Sequence, residues 1–128
     1  MRVETTFEKK SNVRIHTLTG AFEFDALLST LEDIYGDPDF DPELNSVWDL
    51  TGVAGVQLIT PDQMKELVIY VSSQRSQYEA IKTALVVSKK IDFGIARVYE
   101  LSMKSDTNNE VMVFKDLDKA MEWIQESI

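Results

Sequence analysis

A chain of 128 residues has the length of one domain with one core, and two full domains would be a squeeze. Its 44% apolar and 27% charged residues, with five Gly and three Pro, exclude collagenous, low-complexity and wholly disordered classes. The 22 acidic residues outnumber the 13 basic ones, and the net charge of −9 opposes approach to phosphate backbones and anionic membrane surfaces, so no nucleic-acid partner is expected.

Residues 3–8 alternate as a strand with one wet face does; Lys9, Lys10, Ser11 and Asn12 read as a hairpin turn, and residues 13–19 alternate again, which makes an antiparallel pair the economical arrangement. Gly20 ends the second strand. Apolar residues at Phe24, Leu27, Leu28, Leu31, Ile34 and Tyr35 have the spacing of an amphipathic helix that Gly36 stops, and Pro38 and Pro42 keep the next loop extended. A short strand at 47–50 precedes a small, polar linker at 51–55. Thr60-Pro61-Asp62-Gln63 is a helix start: a Thr cap, Pro at the first helical position, Asp in the first turn and Gln in the capping-box position. Met64, Leu67, Val68 and Val71 form that helix's apolar stripe. Residues 84–87 are apolar on both faces, as a central parallel strand is. Asp92 is expected to cap a third helix through 93–100; after a polar break at 105–109 comes another doubly apolar strand at 111–114. Asp116 caps a last helix that buries Leu117, Ala120, Met121 and Ile124 and carries Trp123 near its end.

The predicted order is β-β-α-β-α-β-α-β-α: one α/β domain over residues 1–128, with a mixed, mostly parallel five-stranded sheet and four helices. Crossovers between parallel strands are right-handed, so a sequential strand order puts every crossover helix on one side. The opposite face, to which Leu85, Val87, Val111 and Val113 or their neighbours point, is then thinly covered. A second subunit, a ligand or the N-terminal segment would cover it, which predicts a homodimer or an apolar binding groove.

No cysteine is present, which removes disulfides, thiol nucleophiles and cysteine-based metal sites and fits a cytoplasmic home. The first residues lack the apolar core of a signal peptide, and no apolar run approaches bilayer length, so no integral membrane association is expected. Any acid-base triad must be built on His16, the sole histidine, and no serine lies in a nucleophile elbow. Metal-ligand spacing is missing as well: the acidic stretch 37–41 lacks the Gly and terminal Glu of a calcium loop, and Gly52 and Gly55 form no phosphate cradle, so no metal or cofactor is expected. Open α/β sheets place their sites at the carboxyl ends of the strands, which nominates Trp48, Asp49, Ser88, Lys89, Asp92 and Arg97 as ligand- or partner-binding residues. The competing reading has Asp49 satisfying loop amides, Trp48 packed in the core and Arg97 paired with a surface acid. Lys89 and Lys90 near Arg97 make a local basic cluster of the sort that is usually solvated surface. Tyr70, Tyr78 and Tyr99 border either an apolar pocket or the core.

Gly20 after the second strand, Val47-Trp48-Asp49-Leu50 at the third, residues 93–100 opening the third helix and residues 113–124 at the end together resemble the SpoIIAA-like group within the STAS fold, the sulphate transporter and anti-sigma factor antagonist domains. Order and spacing over most of the chain carry the likeness, more than any one piece. The resemblance implies a strand-helix superhelix, cytoplasmic in bacteria, with CRAL-TRIO domains as its lipid-transfer relatives. Anti-sigma factor antagonists of this fold look like switches in which a kinase phosphorylates a Ser at the start of the second helix, within an Asp-Ser-Ser-Gly-type motif. This chain has Ile59-Thr60-Pro61-Asp62-Gln63 there, with a longer lead-in from Asp49, leaving Thr60 as the one candidate phosphoacceptor. A phosphate at Thr60 would meet a favourable helix dipole, but capping already explains the residue. The function expected is a non-enzymatic STAS-like binding or regulatory module acting through protein-protein contact. The alternative is a carrier of a small apolar or lipid-like ligand, which an oversized apolar pocket favours and a filled core opposes. An enzyme would need a cleft joining His16 or Asp49 to a perturbed carboxylate or lysine.

Overall fold

The computed structural model describes residues 1–75, 81–104 and 110–126; Tyr78 and the predicted break at 105–109 lie outside the described residues. Strands β1 (Arg2–Glu8) and β2 (Val13–Ala21) form the antiparallel hairpin, turning through Asn12 at φ 54°, a left-handed position that Asn tolerates. β3 (Asn45–Ala54), β4 (Lys82–Val86) and β5 (Glu110–Phe114) then add in parallel, so the spatial order β1-β2-β3-β4-β5 equals the chain order.

β3 is ten residues long, and the predicted linker at 51–54 belongs to it. Gly20 does not end β2 either, because Thr19, Gly20 and Ala21 pair with Gly52, Val53 and Ala54. One extra β3 residue is accommodated between the pairs Thr17–Asp49 and Thr19–Gly52, a bulge that takes an amide out of the ladder. Asp49 Oδ1 answers it by accepting from the Thr51 amide at 3.0 Å and the Thr51 hydroxyl at 2.7 Å. A Cβ at Gly52 would sit 2.9 Å from Thr19 Cγ2, so glycine lets the two strands close again past the bulge. Gly55, at φ +88°, swings the chain into a short 3₁₀ turn, Val56–Leu58.

Three helices, α1 (Phe24–Gly36), α2 (Pro61–Arg75) and α3 (Lys90–Met103), cover one face of the sheet. Leu85, Val87, Val111 and Val113 point to these helices; their neighbours Val47, Ala84 and Val86 point the other way. That second face is not bare. α4 (Leu117–Gln125) follows the last strand, so the crossover rule does not bind it, and it packs Ala120 and Ile124 onto Val13, Val47, Ala84 and Val86. The cover expected from a second subunit is thus supplied by this chain. Of the four residues expected to be buried, Ala120 and Ile124 are, Met121 is half-buried and Leu117 is exposed.

The start of α2 is a reciprocal capping box, with the Gln63 amide donating to Thr60 Oγ1 at 3.1 Å and the Thr60 amide to Gln63 Oε1 at 3.0 Å. Asp116 caps α4 by accepting from the Lys119 amide at 2.8 Å. α3 departs from expectation. The Phe93 amide already donates to the Lys89 carbonyl, so the helix begins before Asp92, which lies in the first turn and not at the cap. Asp92 is buried there, and its Oδ1 has no hydrogen-bond partner among the described residues.

Candidate functional site: a cavity beneath the helix layer

Strand registers set side chains in rows across the sheet. On the face covered by α1, α2 and α3, one row runs Phe7, Arg14, Ser46, Thr83 and Val111, and the next runs Thr5, His16, Trp48, Leu85 and Val113. Neighbouring strands lie about 4.8 Å apart, so Arg14, Ser46 and Thr83 form a continuous polar line at the amino ends of β2, β3 and β4. Ser46 Oγ and Thr83 Oγ1 are 3.4 Å apart. Between this wall and the helices is a partly open cavity of about 130 Å³, lined on the helix side by apolar side chains such as Leu31, Leu67, Val71, Ala96 and Met103. At the carboxyl end it is bordered by the apolar side chains of Leu18, Leu50, Val53 and Val56, with Met1 beside them.

Arg14 and His16 are only 4% and 1% exposed. His16 Nδ1 shares a 2.8 Å hydrogen bond with Thr5 Oγ1, and its ring lies against Trp48 with centroids 4.3 Å apart. Burial, reinforced by the Arg14 charge, lowers its pKa from 6.5 to about 4, so the ring is neutral at pH 7. The Arg14 guanidinium lies 4.2 Å over the Phe40 ring, which in turn meets Tyr35 edge-on. Phe40 is held in place by the acidic loop: Asp37 Oδ1 accepts from the Asp39 amide and Asp41 Oδ1 from the Glu43 amide, each at 2.9 Å.

Of the residues nominated from sequence, Trp48 lines this cavity and Asp49 faces away from it, engaged with Thr51. Ser88 and Lys89 are exposed after β4, and Asp92 is buried in the first turn of α3. Arg97 pairs with Glu100, which is no surface acid: it is buried, and its Oε1 accepts from the Val113 amide on the outer edge of β5 at 3.0 Å. The six therefore do not converge on one cleft. Thr60 is exposed, its hydroxyl engaged in the capping box. Tyr99 borders the cavity, whereas Tyr70 packs toward Tyr35, its phenol pushed up by burial and by Glu32. Arg14, Ser46 and Thr83 were missed. Alternation in β2 reads as one wet face, but both faces are covered, by α4 over Val13 and by the other helices over Arg14 and His16, so these two polar residues are buried too.

Among the described residues no helix is long and apolar enough to cross a membrane, and no three His, Asp or Glu side chains converge as a metal site would require. A sequential mixed sheet with three helices on one face and a fourth on the other defines an α/β domain with a SpoIIAA-like fold. The solved structure of an uncharacterised DUF3478-family protein with a SpoIIAA-like fold, from Shewanella loihica PV-4, superposes with a TM-score of 0.60, covering 96% of this chain and 92% of that one at 15% identity. The resemblance to the SpoIIAA and STAS group is met at the level of fold. No family model matches the sequence, and no curated protein matches it.

Proposed function

We propose that this protein is a non-enzymatic SpoIIAA-like module that holds a small, mostly apolar ligand between its sheet and its helix layer. The cavity carries the proposal. Protein interiors pack as densely as organic crystals and leave few voids larger than a water molecule, yet a partly open cavity of about 130 Å³ lies between the sheet and the helices. An apolar engineered cavity of roughly 150 Å³ stays dry and binds benzene. Against an enzyme, His16 is neutral and bonded to Thr5, and Asp49 lies on the opposite face of the sheet from it. A cytoplasmic setting is part of the proposal, supported by the cysteine-free composition.

An amide NMR titration with benzene and toluene, beside native mass spectrometry of the freshly purified protein, tests this reading. Saturable shifts centred on Leu31, Trp48, Leu85 and Ala96 are expected. Ala96→Leu fills the space and abolishes them while the protein stays folded. Shifts that are absent, or that persist unchanged in the filled variant, overturn the proposal.

A second reading, a regulatory module working through a protein contact, is favoured by one observation. Ile91, Val98 and Leu101 form an exposed apolar ridge along the outer side of α3. If the ridge meets a second copy of this chain, the wild type sediments as a dimer that Val98→Glu splits; a monomeric wild type removes the homodimer.

A further inference from the structure

We infer that the ligand carries a single carboxylate, seated against Arg14, Ser46 and Thr83 with its apolar body running toward Leu50 and Val56. This rests on the cavity being a ligand site and adds the chemistry of the ligand's head. The cavity is chemically two-ended. A polar row crosses the amino ends of three adjacent strands, where Arg14 pairs in register with Ser46 and Ser46 with Thr83. The side chains at the carboxyl end, Leu18, Leu50, Val53 and Val56 with that of Met1, are apolar. A ligand that matches both ends is an amphiphile with a compact head.

The sign of the head follows from the wall. The side chains lining the cavity include one guanidinium and no carboxylate, in a protein whose net charge is −9. One buried cation suits one negative charge, where a doubly charged phosphate would ask for more. A guanidinium presents a planar fork that a carboxylate meets with two parallel hydrogen bonds. The Phe40 ring, 4.2 Å from the guanidinium, restrains Arg14 before the ligand arrives, which lowers the ordering cost of binding. Ser46 and Thr83 share a hydrogen bond in which either hydroxyl can be the donor, so the one that does not donate to its neighbour is available to the same head. The neutral His16 ring in the next row adds no competing charge, and Trp48 continues the wall as a flat apolar surface. The whole cavity is close to the size that holds one benzene ring, which limits the ligand to small aromatic or branched monocarboxylic acids.

The experiment is an NMR titration of the full chain at pH 7 with benzoate and phenylacetate, each against its neutral counterpart, benzyl alcohol and 2-phenylethanol. The acids are expected to bind about tenfold or more tightly than the alcohols. In Arg14→Gln the preference for the acids over the alcohols is lost. A second readout is independent of that variant's folding: saturation of the wild type with an acid, but not with an alcohol, raises the pKa of His16, because the bound carboxylate offsets the Arg14 charge. Acids and alcohols binding equally to the wild type overturn the carboxylate head and leave the apolar site standing. Neither class binding overturns both. An acid preference that survives in folded Arg14→Gln overturns the assignment to Arg14.

Discussion

His16 ties the polar wall to the stability of the domain. Its folded pKa of about 4 lies below the 6.5 of an unburied histidine, so between these values the unfolded chain binds more protons than the folded one. Stability from this residue is complete above about pH 6.5, declines as the pH falls through that window and is gone below about pH 4. Between pH 6.5 and 5 the loss is about 2 kcal/mol, and urea unfolding of the wild type against His16→Gln reads it as the difference in slope. Equal slopes would show that the ring accepts a proton in place. Glu100, also buried, acts at the margin of the sheet. From α3 it reaches the outer edge of β5 and takes up the Val113 amide, blunting an edge that another strand could use. Glu100→Gln keeps an acceptor and costs little. Glu100→Leu strands the amide and costs about 1–3 kcal/mol in denaturant unfolding, with faster hydrogen exchange at Val113.

Among the elements, α4 bears most on the second face of the sheet. Its nine residues would be marginal as an isolated helix, so packing of Ala120 and Ile124 holds it. Ile124→Ala is expected to cost about 2–5 kcal/mol by chemical denaturation, and a loss under 1 kcal/mol would show that α4 contributes little to the fold. Elements whose cause is local were legible in the sequence. The capping box at Thr60 and the cap at Asp116 are written within four residues, and α1 shows its stripe from Phe24 onward. Elements with distant causes were not. Gly52 and Ala54 have the small character of a loop, and they are strand because β2 pairs with them past a bulge. Asp92 has a capping residue's chemistry, but the helix bond to the Lys89 carbonyl forms first. The polar row is a matter of register: nothing near Arg14, Ser46 or Thr83 in the chain announces that three strands will set them side by side.

For the whole molecule, an unfilled core has a mechanical signature. Empty volume is eliminated on unfolding, so pressure favours the unfolded state in proportion to it. Ala96→Leu is expected to raise the midpoint of pressure unfolding, followed by tryptophan fluorescence, and a bound acid to do the same in the wild type. An unchanged midpoint in the filled variant would mean that water already occupies the space. The charge of −9 bears on binding as well, because the protein's overall field repels anions while Arg14 draws them at short range. Binding of a carboxylate should therefore quicken as salt screens the field.

Because the strands assemble in chain order, each unit can dock on the one before it as the polypeptide leaves the ribosome. α4 breaks that pattern. It comes after all five strands, yet it lies against Val13 and reaches Ser11 through Gln125 at 2.9 Å. Until α4 has emerged, Val13, Val47, Ala84 and Val86 present a dry strip to whatever is nearby, and synthesis stalled before Asp116 leaves a sheet with one oily side. The nascent chain is thus a client for chaperones over a defined interval, which closes when α4 folds back across the strands made first.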